Sequence, residues 1–351
     1  MFDDLIGNER AKEILRRMLR QRRVPGALLF AGEAGLGKSL FALELARALN
    51  CREPRGVEAC GACASCVRVG RFQFPSPDDK DEFKKVIWGE HRDVGLVRPY
   101  NRTIYINAIR DLERESNFRP FEGRARVFLI EGADALNENN EPSANALLKT
   151  LEEAPPTTHI ILVTSRPASL LPTIRSRCQT VRFAPLAVEE VEQYLVKTRA
   201  RAGEEARLAA RLSGGRPGVA REVNLDTYRG RRDAMLGVVE ALAQGNDRAK
   251  LLRAAEELGD AKNKEEYEPR LDVLELLIRD LWMLALNVEG AGAVNVVNED
   301  LRERLSRLAS GLRPARAARW LSRVEELRAQ LSVNVNRRAA TDALFLSMAS
   351  D

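Results

Sequence analysis

One short run constrains this chain more than any other: Gly32-Glu33-Ala34-Gly35-Leu36-Gly37-Lys38-Ser39, which fits G-x-x-x-x-G-K-[ST]. Apolar Leu28-Leu29-Phe30 precedes it within a strand-like stretch, Ala27–Ala31, and helical periodicity resumes over Ser39–Leu49. Strand, glycine turn and helix in that order are the context that such a loop requires. The glycines let backbone N–H groups wrap phosphate oxygens, Lys38 sets a cation on the outer phosphates, and the Ser39 hydroxyl can hold Mg²⁺. The helix N-terminus adds partial positive charge. The plain alternative is a glycine-rich turn with a chance lysine, which leaves the flanking strand and helix unexplained. The expected ligand is ATP or ADP with Mg²⁺.

The alternation continues beyond this loop. Glu9–Gln21 has helical periodicity, and Val127–Ile130, Ile160–Thr164 and Thr180–Phe183 are short apolar runs separated by helical patterns. Such spacing predicts a parallel sheet with helices on both faces. Arg71–Glu90 breaks the rhythm with Pro75, Pro77, Asp78 and Asp79, and reads as a surface insertion; Phe83, Ile87 and Trp88 find no place in it. After Pro185 the strand signals stop. Val188–Thr198 and Glu204–Leu212 read as helices, and Gly214-Gly215 ends the second. Leu271–Leu286 is apolar over a wide face, Pro314 stands where a helix begins, and Trp320, Val324, Leu327 and Leu331 form a helix-packing stripe. The expected fold class is α/β plus all-α. A nucleotide-binding domain spans 1–184, with a cysteine module at about 50–70 and the insertion at about 71–90; a helical lid spans 185–225 and a helical domain 226–351.

Composition narrows the class. A chain of 351 residues with 44% hydrophobic and 30% charged residues has ample material for a core and is not a disordered polymer. No apolar run reaches the roughly 18–20 residues of a membrane span. Met1-Phe2-Asp3-Asp4 lacks the basic-then-apolar pattern of a signal peptide, so the expected compartment is the cytoplasm. The balance of 56 basic to 51 acidic residues permits contact with nucleic acid without establishing it.

Val127-Phe128-Leu129-Ile130 is the strand expected to end in a Mg²⁺-holding acid, and Glu131-Gly132-Ala133-Asp134 follows. A hydrolytic site wants Asp then Glu here, one for the metal and one for the attacking water. Glu131 supplies the first carboxylate one methylene further out, and Gly132 supplies no second. The expectation is Mg·ATP binding with weak hydrolysis.

Cys51, Cys60, Cys63 and Cys66 are spaced x8, x2, x2. Four thiolates suit a closed, structural, tetrahedral Zn²⁺ site. Four reduced thiols on a loop and an iron–sulfur cluster are the alternatives. His91 reads as an ordinary surface histidine, because four cysteines already close the shell.

Several stretches together resemble the AAA+ clamp-loader family, specifically the delta-prime subunits of bacterial DNA polymerase III. Phe2-Asp3-Asp4-Leu5-Ile6-Gly7 is similar to the family's opening box, and the phosphate loop follows at the family's distance. A four-cysteine module, Ile109-Arg110-Asp111-Leu112 and Asn145-Ala146-Leu147-Leu148-Lys149-Thr150-Leu151-Glu152-Glu153-Ala154-Pro155 also match it. Leu171-Pro172-Thr173-Ile174-Arg175-Ser176-Arg177-Cys178 carries the Ser-Arg-Cys signature, and Asn334-Val335-Asn336 resembles the last collar helix.

The resemblance implies roles. Leu5 and Ile6 would lie near the adenine. Arg177 would be an arginine finger aimed at ATP on a neighbouring subunit, a task that suits a planar, permanently charged fork. Ser165 would take the sensor-1 position, with Thr164 as rival, and Cys178 would be a small packing residue. Gly215-Arg216-Pro217-Gly218-Val219-Ala220 aligns with the segment that carries a sensor-2 arginine in gamma/tau, and Gly218 takes that arginine's place. The implied role is a weakly hydrolysing subunit of a polymerase holoenzyme that itself adds no nucleotide. It would sit in a hetero-pentamer with gamma/tau and delta subunits and help place the sliding clamp on primed DNA, away from any membrane. The alternatives are an autonomous gamma/tau-like ATPase motor acting on DNA and a zinc-stabilised scaffold. Arg16, Arg17, Arg20, Arg22 and Arg23 are the candidate DNA-backbone contacts, read against an ordinary solvated basic face.

Overall fold

The computed structural model describes residues 1–245, 247–260, 264–286, 295–331 and 336–350. These form two compact units: Met1–Ala202 with Ser213–Arg221, and Gly203–Leu212 with Glu222–Asp351.

The first unit is built on a six-stranded sheet of β1 (Ala27–Ala31), β2 (Ile87–Trp88), β3 (Val94–Val97), β4 (Arg126–Ile130), β5 (Thr158–Thr164) and β6 (Gln179–Arg182), in the order β2-β3-β4-β5-β1-β6. Every pairing is parallel except β2 with β3. The four inner strands are buried along their whole length, which is why they read as continuous apolar runs rather than alternating ones. Leu28 and Phe30 face one core with Phe2, Leu15, Phe41 and Val127, while Leu29 faces the other with Ile109, Phe128, Leu147 and Ile160. Helices α1 (Glu9–Arg20), α2 (Lys38–Asn50), α3 (Ala64–Arg68), α4 (Ile106–Ser116), α5 (Glu141–Glu153), α6 (Pro172–Arg177) and α7 (Val188–Lys197) complete the layers, with Leu15 and Phe41 on one side and Ile109 and Leu147 on the other.

Strand β3 has no clear sequence signal, because Gly95 interrupts it. The glycine is needed: a Cβ there would lie 2.5 Å from Val86 Cγ1 and 3.1 Å from a Phe128 ring atom. The 71–90 segment is only partly a surface insertion. Ile87 and Trp88 form the edge strand, Trp88 packs against Phe128 at 5.8 Å, and Phe83 packs against Tyr100 at 5.4 Å.

One other expectation fails. His91 is buried, not on the surface, and its Nδ1 accepts the Asp93 backbone N–H at 3.3 Å. Asp93 explains this burial: its carboxylate accepts backbone N–H groups of Phe121, Glu122 and Gly123 at 2.6–2.9 Å and folds that turn over the ring's neighbourhood. Arg16 is engaged within its own unit. It pairs with Asp3 at 2.6 Å and Glu58 at 2.5 Å, tying α1 to both the N-terminus and the cysteine module. Arg17, Arg20, Arg22 and Arg23 are exposed.

The second unit is helical: α8 (Gly203–Leu212), α10 (Leu225–Gln244), α11 (Arg248–Gly259), α12 (Tyr267–Leu286), α13 (Arg302–Ala309), α14 (Pro314–Leu331) and α15 (Arg337–Ser350), while the short α9 (Pro217–Glu222) ends the 213–221 segment of the first unit. Helix α12 packs against α10, α13 and α14, and its wide apolar face supplies Leu271, Leu274, Leu277, Ile278 and Leu281 to the core. Trp320 is fully buried, and its indole N–H donates to the Met348 carbonyl at 2.9 Å. Buried Asp280 accepts the backbone N–H groups of Val297 and Asn298 and the Asn298 side-chain amide, which satisfies a carboxylate whose pKa burial raises. Of the 334–336 stretch, Asn334 and Val335 lie outside the described residues; Asn336 Oδ1 accepts the Ala339 N–H at 3.2 Å and caps α15.

Two predictions follow from this packing. Trp320→Ala removes a full indole and its hydrogen bond from a closed core, so urea denaturation of the helical unit should show a loss of about 3–5 kcal/mol. The chain's two histidines, His91 and His159, are both buried, and burial lowers both imidazoles below their ordinary 6.5. Their contribution is therefore complete above the unfolded value and is lost as pH falls below it. Unfolding free energy should drop between about pH 7 and 5.5 with a slope approaching roughly 1.4 kcal/mol per pH unit for each histidine. His159→Gln should flatten that slope by about half.

Candidate functional site

The phosphate loop leaves the C-terminal end of β1 and turns into α2. Gly32, Gly35 and Gly37 all have positive φ, at 155°, 84° and 80°. At Gly32 no side chain fits, since a Cβ would lie 2.4 Å from the Phe183 carbonyl oxygen. Lys38 is buried, and its Nζ donates to the Gly32 and Glu33 carbonyls, both at 2.5 Å. Burial lowers its pKa, and the Asp134 and Glu33 carboxylates partly offset that. Ser39 stands half-buried in the first turn of α2. Ala34 and Glu33 are exposed, Leu36 is buried, and Leu5 and Ile6 are half-buried beside Phe2, which packs on Phe41 at 6.4 Å.

The acid expected after β4 is turned elsewhere. Glu131 pairs with Arg98 at 2.9 Å. The carboxylate of this turn whose charge acts on Lys38, together with that of Glu33, is Asp134, which follows the left-handed Gly132. Asp134 accepts the Thr164 hydroxyl at 3.1 Å, the Ser165 backbone N–H at 3.4 Å and the Arg166 guanidinium at 2.8 Å. Burial pushes its pKa up, but these donors outweigh it and hold the group below the usual carboxylate range. Lys38, Asp134 and Thr164 thus share one end of the sheet, whereas the Ser165 side chain is exposed. Asp134 lies beyond the two positions directly after the strand; the available signal is the glycine-led turn that places a second acid three residues after Glu131.

The segment 215–220 packs directly on the loop. The Gly218 N–H donates to the Gly35 carbonyl at 2.9 Å, and a Cβ on Gly218 would sit 3.0 Å from that oxygen and 3.1 Å from Gly35 Cα. Gly218 is therefore more than an absent arginine: its lack of a side chain allows backbone-to-backbone contact. Arg216 reaches Glu33 at 3.7 Å.

Arg177 ends α6, immediately before β6. Its guanidinium pairs with Glu152, and Nη1 donates to the Thr173 carbonyl at 2.9 Å. The register pairs Leu28 with Gln179 and Ala31 with Arg182, so Arg177 lies at the N-terminal end of the sheet and the phosphate loop at the C-terminal end. The intervening strand, Ala27–Ala31, spans about 15 Å at some 3.3 Å per residue. Cys178 beside it is buried, and burial raises its thiol pKa to about 12, as befits a packing residue.

Cys51, Cys60, Cys63 and Cys66 converge, with all four sulfurs within 4.8 Å of one another. Cys51 and Cys63 sulfurs are 4.0 Å apart and those of Cys60 and Cys66 are 3.9 Å apart. One ion bound tetrahedrally by thiolates at about 2.3 Å holds them about 3.8 Å apart. The four cysteines therefore fit a single metal ion, and a multi-iron cluster would push them wider. The Cys60 and Cys63 N–H groups donate to the sulfurs of Cys51 and Cys60 at 3.3 and 3.2 Å. Burial pushes the Cys63 thiol up, but N–H donors from Cys66 and Arg52 and neighbouring thiols bring it down to about 6; burial raises Cys51 and Cys66. The module is tied to α2 by the Ser65 hydroxyl on the Asn50 carbonyl and by Arg47 on the carbonyls of Cys66 and Val69.

Residues 7–187 match the protein family described as DNA polymerase III, delta subunit. The chain is similar to DNA polymerase III subunit delta' of Bacillus subtilis, at 29% identity over 97% of this chain and 95% of that protein. It is similar to subunit delta' of Escherichia coli at 31% identity over 91% of this chain and 87% of that protein. A shorter match reaches Escherichia coli DNA polymerase III subunit tau, at 32% identity over 55% of this chain and 27% of tau.

The cysteine geometry makes a prediction. The purified chain should carry one divalent ion by elemental analysis. Cys60→Ser should lose it, and both that change and chelation should lower the midpoint of thermal unfolding by about 10 °C.

Proposed function

This chain belongs to the delta-prime family of DNA polymerase III subunits, and on that premise we propose that it works as a largely non-hydrolysing clamp-loader subunit that offers Arg177 to a neighbour's nucleotide. The observation that carries this reading is the sheet register. Arg177 and the phosphate loop stand at opposite ends of adjacent strands, so the guanidinium cannot serve the chain's own site. In an assembly, an arginine so placed would meet the phosphates that the next subunit presents across an interface. In the isolated chain Arg177 is held by Glu152, a partly exposed pair. Such pairs contribute about 0–1 kcal/mol, so exchanging Glu152 for phosphate oxygens costs little. A finger supplied in trans stabilises charge as the phosphoryl group is transferred and raises rates by about 10³–10⁵ in GTPase systems.

The chain's own pocket supports nucleotide binding more than turnover. The glycine loop, Lys38 and Ser39 provide a phosphate cradle and a hydroxyl for Mg²⁺. Glu131 is engaged by Arg98, Gly132 has no carboxylate to orient water, and Gly218 rests on Gly35 where a sensor arginine would need room. Zn²⁺ is the ion that best fits four cysteine sulfurs at tetrahedral spacing, in a closed structural role. The remaining parts of the reading are gamma/tau and delta partners, a sliding clamp, primed DNA held through its phosphates and a cytoplasmic setting. Among the described residues no helix is long and apolar enough to cross a membrane.

The test is steady-state ATP hydrolysis by the reconstituted loader with clamp and primed DNA. Arg177→Ala should lower turnover by about 10²-fold or more, and Lys38→Ala should leave it within about twofold. The reverse pattern would mean that this chain's own pocket is the motor.

A further inference from the structure

A cleft of about 620 Å³ opens at the β2 edge of the sheet, between that strand, the residues after α4 and the start of β4. It lies at the sheet edge opposite β6, which Arg177 precedes, and at the strand end opposite the phosphate loop. Its walls combine aromatic rings with guanidinium groups. Phe118 and Phe121 are 54% and 69% exposed, unusual for large apolar side chains. Arg92 stacks over the Phe121 ring at 4.7 Å.

Arg126 is the informative residue. It is only 5% exposed and lies over Trp88 at 5.0 Å and Phe128 at 5.5 Å. Its one hydrogen bond to a side chain among the described residues is a long one, from Nη2 to Glu115 at 3.3 Å, and its buried Nε has no partner. A buried charge with most of its donors unspent is costly unless something completes its shell. Arg92, Arg119 and Arg126 face a single carboxylate, Glu115, so the cleft has excess positive charge beside its rings.

We propose that this cleft binds an acidic peptide segment of a partner protein, seating one aromatic or large apolar side chain among Trp88, Phe118 and Phe121 while its carboxylates pair with Arg92, Arg119 and Arg126. Rings and arginines also suit single-stranded nucleic acid. The neighbouring surface disfavours it. The adjoining hollow shares Trp88 and Glu115 with the cleft and carries Asp79, Glu82 and Asp111, and its cations Lys85 and Arg114 are already paired with Glu82 and Asp111. A polyanion leaving the cleft on that side meets carboxylates, whereas a short peptide needs only the cleft itself.

The experiment is fluorescence anisotropy on the full-length chain with a fluorescein-labelled peptide, Gly-Ser-Gly-Ser-Asp-Glu-Asp-Trp, bearing a free C-terminal carboxylate. Saturable binding that weakens with added salt is expected, about tenfold weaker in Arg119→Glu and in Phe121→Ser and absent when the acids are replaced by amides. Both side chains are exposed, so the variants should melt as the native chain does. Absence of saturable binding, affinity unchanged in both variants, or a thymidine oligonucleotide that binds more tightly and displaces the peptide would each overturn the proposal.

Discussion

Parallel pairing of β1 with β5 on one side and β6 on the other is the constraint from which the rest of the first unit follows. Parallel strands share a direction, so every β-to-α turn emerges at one edge and every return at the other. The phosphate loop after β1, the Asp134 turn after β4 and Thr164 at the end of β5 are thereby gathered at one edge. The same pairing places the α6-to-β6 junction, with Arg177, at the opposite edge. The glycine loop and the Arg177 guanidinium therefore stand at opposite ends of the same pair of strands.

Polar side chains in apolar surroundings hold the remaining parts in place. Asn50 ends α2, accepts the N–H groups of Arg124 and Ala125 through Oδ1, and lends its carbonyl to Ser65 of the cysteine module. Asp93 does similar work for the turn at 121–123. Asp280 secures Val297 and Asn298 in the helical unit. Each is a short buried carboxylate or amide satisfied by backbone donors, which makes it expensive to break and specific in what it joins. The cysteine module is thus anchored to α2, the helix that follows the phosphate loop.

Much of this was legible in the residues. Four of the six strands left apolar runs, and the glycine-rich loop after β1 was legible from its strand–loop–helix context. What escaped had weak local signals. Val94–Val97 carries a central glycine, needed only because Val86 and Phe128 close over it. Ile87 and Trp88 have too short a run to read as a strand without a partner to pair with. His91 looked exposed because nothing nearby in sequence reveals that Asp93 draws residues 121–123 over it.

Local chemistry therefore determined the phosphate loop, the four-cysteine cluster and the alternation of strand and helix, since each depends on residues near one another in the chain. Tertiary structure decided where charges ended up. Glu131 went to Arg98, Asp134 to Thr164 and Arg166, Arg16 was taken by Asp3 and Glu58, and Arg126 was buried under Trp88 with donors to spare. The reason is physical: a side chain's partner is whichever opposite charge the packed backbone brings within a few ångströms, and that proximity joins residues tens of positions apart in the chain.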